Sequence, residues 1–350
     1  MITVDGGMME GGGQLFRMAT AYSAILGEPF GIHSIRANRA QPGLKPQHLT
    51  TLKAAASLSG AKLQGAALGS TEVVFKPRKI RGGRYSFDIG TAGSVTLLLQ
   101  CLAPIAAYTD SEVELNVRGG TAVKWSPPTP FLEKVVWRAF RSMGMRCSLD
   151  VRRHGFYPKG GGEVKAIIQP TDMLSSIKPE IQTVGDVHGV SICGGLPRHV
   201  AERQARSASS RIRESGFKPE ITSYALEGGE APFSPGSLIC LWASSMYLGS
   251  DSLGERGKPA EKVGLEAAES LLEQIRTGAA VDYHTADHMV LPCSLAKGES
   301  SFKTSKLSLH TLTAIELAKV FTGAKFSVEG SIDKPATIRC EGMGYSRSDR

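Results

Sequence analysis

The hydrophobic pattern changes period repeatedly along the chain, and each change predicts a new element. Residues 2 to 5 read as a short strand. The polar, glycine-filled run Asp5-Gly-Gly-Met-Met-Glu10-Gly-Gly-Gly-Gln14 follows, and apolar positions then predict a helix from Leu15 to Leu26. A second strand is expected over Phe30 to Ile35, a loop from Arg36 to His48, and a helix from Leu49 to Leu58 stopped at Gly60. Short strands near Lys62 to Gln64 and Glu72 to Lys76 complete a β-α-β-α-β-β order.

The same order then returns. Tyr85 to Ile89 reads as a strand, Gly90-Thr-Ala-Gly93-Ser94 opens a helix through Gln100 to Ala107, and Val113 to Val117 is a strand. Pro127-Pro128 precedes a helix ending at Gly144, with strands near Arg146 to Val151 and Glu163 to Ile168. Val281-Asp-Tyr-His-Thr-Ala-Asp287-His288 enters a third first helix. The third second helix carries Leu312, Ile315, Leu317, Ala318 and Phe321 at helical spacing, with Ser308 as its cap and Gly323 as its stop. The second helices share a stop signal, Ser59-Gly60-Ala61, Met143-Gly144-Met145 and Thr322-Gly323-Ala324. These glycines lie about 84 and then about 179 residues apart, which leaves room for an insert of roughly 95 residues in the third unit.

The expected fold is therefore α+β: three repeated βαβαββ units form a body of residues 1-184 and 280-350, and residues 185-279 form a smaller inserted α/β domain. The insert should contain strands at Val187 to Cys193, Ile221 to Leu226 and Leu238 to Ala243, and helices at Val200 to Ser215 and Glu261 to Arg276.

Composition narrows this picture modestly. With 350 residues, 41% of them hydrophobic, the chain can bury a substantial core. A formal net charge of +8 favours an anionic partner, although a solvated basic surface would give the same balance. Six scattered cysteines without a Cys-x-x-Cys pair signal neither a zinc site nor a disulfide framework, so a reducing, cytoplasmic setting is expected. The opening Met1-Ile-Thr-Val lacks a charged leader, and no apolar run is long enough to span a bilayer.

Candidate chemistry centres on His310 in the first turn of its helix. There the dipole disfavours imidazolium and attracts phosphate, so a neutral histidine can act as a nucleophile; a polar residue ending a strand-to-helix loop is the plainer alternative. The run Glu10 to Gln14 could let backbone N–H groups approach a phosphate or merely allow close helix packing, and it is neither a P-loop nor a dinucleotide fingerprint. Arg17, Arg36, Arg39 and Lys45 are cations suited to phosphate oxygens, or an ordinary solvated basic loop. Asp287 is either a helix cap or a ligand residue, and with His288 it should lie at the same end of the body as the glycine turn. Arg153-His154-Gly-Phe-Tyr157-Pro-Lys159-Gly-Gly-Gly162 reads as a hairpin connection or as a phosphate or RNA contact.

Taken together, Met9-Glu10-Gly-Gly-Gly-Gln14, Arg36-Ala-Asn-Arg39-Ala-Gln-Pro-Gly-Leu-Lys-Pro-Gln47-His48, Thr91-Ala-Gly-Ser94 through Gln100, His154 to Gly162, Gly254-Glu-Arg-Gly257 and His310-Thr-Leu-Thr-Ala314 resemble the RNA 3'-terminal phosphate cyclase family, in the family's order across essentially the whole chain. The resemblance implies a body of three repeats like that of the EPSP synthase relatives. It also implies that ATP converts an RNA 3'-terminal phosphate to a 2',3'-cyclic phosphodiester through a histidine-AMP and an RNA(3')pp(5')A intermediate, releasing AMP and pyrophosphate. His310 matches the family's nucleophile, and Arg17, Arg36, Arg39 and Gln47 match its phosphate- and RNA-facing positions. Glu10 matches a carboxylate near Mg2+ or Mn2+, while Gln100, Pro127 and the run His284, Thr285, Ala286, Asp287, His288 match positions framing the adenosine. The expected partners are ATP and RNA with a 3'-phosphate end, for a monomer or homodimer without membrane association.

This chain departs from the family in two places: His288 stands where its relatives carry glutamine, and Lys124-Trp125-Ser126 replaces a variable stretch. A non-catalytic, cyclase-like RNA-binding factor in ribosome assembly is the alternative from another class, and an enolpyruvyl transferase would share the fold. The presence of His310 with Glu10 and the three arginines favours catalysis.

Overall fold

The computed structural model describes residues 1–180 and 184–349, and in it the hydrophobic periods become four small sheets around a shared layer of helices. The first sheet contains β1 (Ile2–Asp5), β2 (Phe30–His33), β3 (Lys62–Gln64) and β4 (Val73–Lys76) in the order β1-β2-β4-β3. Only β1 and β2 run parallel, joined by α1 (Gly13–Leu26), while α2 (Pro46–Ser59) leads from β2 to β3. That second helix begins inside the segment read as a loop. Pro46 fits its first turn, where a missing N–H costs nothing and φ is already helical.

The second sheet has the same order and senses. Its strands are β5 (Gly83–Asp88), β6 (Val113–Gly119), β7 (Arg146–Arg153) and β8 (Gly162–Gln169), arranged β5-β6-β8-β7, with α3 (Val95–Ala107) between the parallel pair. The rod from 129 to 142 comprises α4 (Thr129–Phe131), a π-helical turn (Leu132–Val136) and α5 (Trp137–Ser142).

Next comes a sheet in the order β10-β9-β11-β12, made of β9 (Asp186–Gly194), β10 (Lys218–Leu226), β11 (Gly236–Ala243) and β12 (Gly249–Leu253). Hydrophobicity did not predict β12, whose Gly-Ser-Asp-Ser-Leu gains its burial only by pairing with β11. Two amphipathic helices accompany it, α6 (His199–Glu214) and α7 (Ala260–Arg276). They touch at Gly264, where any Cβ would collide with the Gln204 carbonyl.

The last sheet, β13-β15-β14, contains β13 (Lys297–Thr304), β14 (Lys325–Glu329) and β15 (Ala336–Met343), with α8 (Tyr283–Leu295) and α9 (Leu309–Thr322). It has three regular strands where four were expected. The place of β1 and β5 is taken by a short parallel bridge of Ser175 to Lys297, supported by Lys297 N–H to Leu174 O at 2.9 Å and Ser301 N–H to Ile177 O at 2.9 Å. Pro179, which has no N–H to donate, follows at once and limits the ladder.

Helices of different units pack on one another, with α1 touching α2, α3 and α9. Every α1 residue from Gln14 to Ile25 is buried, the polar Gln14, Arg17, Thr20 and Ser23 among them. The Tyr22 ring stacks on Phe321 of α9 at 5.4 Å, and its hydroxyl hydrogen-bonds Ser294 of α8 at 2.8 Å. Strands such as β8 alternate between buried and partly exposed positions, so that sheet shields the helices on one face and meets solvent on the other.

Candidate active site

The packing of units brings three helix N-termini to one place. The mouth of α9 carries His310, whose Nδ1 lies 2.7 Å from Gln14 Oε1 in the first turn of α1. The mouth of α2 arrives beside it, so close that a Cβ on Gly13 would collide with His48 Nε2. The positive ends of three helix dipoles therefore lie close together, which is an anion-attracting arrangement.

Ser308 caps α9 as expected, its Oγ accepting from Thr311 N–H at 3.0 Å. An amide oxygen only accepts, so the Gln14 contact places the proton of a neutral His310 on Nδ1 and leaves the lone pair on Nε2. Burial, then Arg17 and Arg39, lower the His310 pKa and keep the ring neutral.

Glu10 lies under the glycine turn. Gly11 adopts φ 61°, which favours glycine, and the Glu10 carboxylate lies against Gly12, where a Cβ would displace it. Arg39 forms an ion pair with one Glu10 oxygen, and the other oxygen, 3.7 Å from His310 Nδ1, is buried without a hydrogen-bond partner. The Glu10 N–H donates to Thr313 Oγ1 at 3.3 Å and so ties the turn to α9.

Arg17 stands one turn into α1, buried, with Nε and Nη2 donating to Gln100 Oε1 at 3.2 and 3.1 Å. Burial lowers its pKa to about 10, which still leaves it a cation at neutral pH. Asp287 and His288 of α8 lie in its electrostatic neighbourhood. Burial holds the Asp287 carboxyl well above its usual range, against the opposing pull of Arg17, and pushes His288 down to about 3. Asp287 does not cap its helix; Asp282 does, accepting from His284 N–H at 2.9 Å and Thr285 N–H at 2.7 Å.

Other sequence candidates surround this centre rather than enter it. Arg36 donates to Gln41 O at 2.8 Å and Gly43 O at 3.0 Å, bracing its own loop. Gln47 accepts from Ser94 N–H at 2.8 Å at the start of α3, and Pro127 O accepts from Thr96 Oγ1 at 2.7 Å nearby. His284 packs its ring against Tyr283 at 4.0 Å and Phe131 at 6.3 Å, while Thr285 and Ala286 are buried behind it.

The structure adds two residues that sequence reasoning quoted without assigning a role. Gln14 orients His310, and its place immediately after the glycine run was the only signal. His48 accepts from Lys45 N–H through Nδ1 at 3.2 Å, so a neutral ring presents an Nε2–H donor toward Gly13. Burial and the neighbouring cations Arg17, Arg36 and Lys45 depress its pKa to about 3.

No three His, Cys, Asp or Glu residues gather as a metal cluster among the described residues. The single unpartnered Glu10 oxygen nevertheless suits a divalent ion whose other ligands are phosphate oxygens and water. No helix is long and apolar enough to cross a membrane, and all six cysteines are free and buried.

The family model described as RNA 3'-terminal phosphate cyclase matches residues 8–328. A protein of Methanopyrus kandleri named RNA 3'-terminal phosphate cyclase is 44% identical, covering 98% of this chain and 99% of its own. Proteins of the same name from Methanosarcina barkeri, 44% identical over 94% of this chain and 97% of their own length, and Archaeoglobus fulgidus, 43% over 95% and 98%, are also similar.

Proposed function

This chain belongs to the RNA 3'-terminal phosphate cyclase family, and from that premise we propose that it uses ATP to convert an RNA 3'-terminal phosphate to a 2',3'-cyclic phosphodiester. The observation that carries the reading is His310, held neutral at a helix mouth with its Nδ1 proton given to Gln14.

In the first step the Nε2 lone pair of His310 attacks the α-phosphorus of ATP. A P–N bond forms as the bond to the pyrophosphate oxygen breaks, and pyrophosphate leaves. An oxygen of the RNA 3'-phosphate then attacks the same phosphorus, the P–N bond breaks, and an RNA(3')pp(5')A anhydride results. The 2'-hydroxyl finally attacks the 3'-phosphorus and loses its proton while AMP departs. Activation is needed because an unmodified phosphate offers only a poor leaving group at neutral pH.

The residues around His310 suit this sequence. Arg17 and Arg39, with the dipoles of three helix mouths, supply fixed positive potential for the crowded phosphorus. Arg36 and Gln47 would shape the loop and the start of α3, where the RNA end arrives. Gln100, Pro127 and residues 284 to 288 would frame the adenosine. Glu10 would supply a carboxylate oxygen to Mg2+ or Mn2+, which when bound neutralises charge on ATP oxygens. Retention of His310 beside Glu10 and Arg39 supports an enzyme over a binding factor.

The test is incubation with ATP labelled at the α-phosphate, followed by a short 3'-phosphorylated oligoribonucleotide. The protein should acquire an acid-labile label and pass it to RNA, whose end becomes phosphatase-resistant. Retention of the protein label in His310→Ala would remove that residue from its role.

A further inference from the structure

Three large aromatic side chains lie exposed where the second unit meets the inserted sheet: Trp125 is 94% exposed, Tyr157 77% and Phe233 53%. Among the described residues Trp125 has no hydrogen bond or ring partner, and its backbone sits in the left-handed region at φ 62°, which a bulky side chain rarely adopts.

The segments that carry these rings are fixed. Ala122 and Phe156 form a parallel bridge, so Trp125 and Tyr157 follow on adjacent strands of chain. Thr121 Oγ1 accepts from Gly155 N–H at 3.0 Å and meets His154 Nδ1 at 3.1 Å, locking the two loops together. Phe233 lies on Gly161, which adopts φ 68°, and the Arg153 guanidinium stacks over its ring at 4.7 Å.

Cations are interleaved with the rings. Lys124 bridges to Glu255 at 2.9 Å and Arg153 to Glu163 at 3.2 Å, whereas exposed Lys159 and Arg256 make no ion pair among the described residues. The patch also continues to the active site. Gly160 packs on the backbone of Thr91 and Ala92, Gly93 packs on Gln47, and Gln47 precedes the His48 that faces Gly13.

We propose that this surface is the track for the single-stranded RNA segment leading to the reacting 3' end, with Trp125 and Tyr157 as stacking platforms and Lys159 and Arg256 as phosphate contacts. Every base has a π-face and every linkage a charge, so aromatic rings set among cations fit an unpaired strand of any sequence. Continuity of the patch with the His310 site favours the substrate strand over a protein partner. The inference rests on the RNA-directed reading above.

The experiment measures direct binding of a fluorescent ten-nucleotide RNA and of a dinucleotide, both ending in unreactive 3'-hydroxyls, alongside labelling by ATP alone. Trp125→Ala/Tyr157→Ala should weaken the ten-nucleotide RNA about ten-fold or more, leave the dinucleotide unchanged and leave self-labelling intact. Trp125→Phe should retain most of the affinity. Unchanged binding of the longer RNA, an equal loss for both lengths, or no binding by the unaltered protein overturns the track. Length-dependent loss in a protein that never labels itself would keep the track and sink the cyclase reading; normal labelling with unaltered RNA affinity would do the reverse.

Discussion

Arg39→Met should move the acid limit of His310 labelling to higher pH. Arg39 neutralises Glu10 in the ion pair and also repels a proton from His310, so its removal strips away one cation and uncovers a carboxylate oxygen 3.7 Å from Nδ1. Two unit charges at that separation interact by about 1–2 kcal/mol for an effective dielectric of roughly 40–80, which suits a side chain near solvent. His310 is 47% exposed and Glu10 only 8%, so a value inside that range, about 1.4 kcal/mol or one pH unit, applies.

The sign follows from the chemistry. Only neutral imidazole has the attacking lone pair, and the native surroundings lower its pKa, so labelling persists into mildly acidic solution and is lost as pH falls through that value. The uncovered carboxylate favours imidazolium by about ten-fold, and the acid limb should rise by about one pH unit. Single-turnover labelling from pH 5 to 9 measures this, taken as the ratio of variant to unaltered protein so that titration of ATP cancels. Glu10→Gln/Arg39→Met should return the limb to its starting position or below. A limb that stays put in the single variant, or stays high in the double variant, would refute the electrostatic account of how His310 is kept neutral.

Gln14→Leu removes the acceptor for the Nδ1 proton, worth about 0.5–1.5 kcal/mol, so labelling should slow roughly three- to ten-fold without a change in apparent ATP affinity. Gln100→Leu leaves buried Arg17 without its side-chain acceptor and should cost about 1–3 kcal/mol in denaturant unfolding, with labelling reduced as well; an unchanged unfolding midpoint would show that Arg17 needs no support. Asp282 is buried and Asp251 half-buried near it, and loss of solvation raises both to about 7. Their folded pKa values exceed the unfolded ones, so the folded state binds more protons and stability falls as pH rises from about 4 to about 7. Asp251→Asn should therefore raise the melting temperature at pH 8 more than at pH 4, which thermal unfolding at the two pH values checks.

Helices proved easier to read from the sequence than their edges or partners. The stops at Gly60 and Gly323 are left-handed caps, as their residue type requires, and α7 follows its apolar stripe almost to the residue. Elements whose stability comes from neighbours were invisible: β12 has one large apolar residue, and the short bridge at Ser175 has no strand pattern. Asp287 reads as a possible cap if the helix begins there, yet the helix starts earlier, at Tyr283, and Asp282 has the extended backbone that capping needs.

The location of the candidate active site was implicit in the recurring strand-helix order, although its contacts were not. In each parallel β-α-β step the helix must start where the strand ends, so repeating the step gathers helix mouths at one end of the body. That rule puts Gln14 and His310 at the same end without saying that they meet. Their contact spans 296 positions and depends on how α9 packs against α1, a relation with no local periodicity to announce it. Arg17 and Arg36 show the same boundary from the other side. Both read as loop-and-helix cations suited to phosphate, but one is buried between Gln100 and the α8 carboxyl while the other is committed to its own loop carbonyls. Residue type supplied the chemistry available, and only packing between units decided which cation is aimed at the histidine.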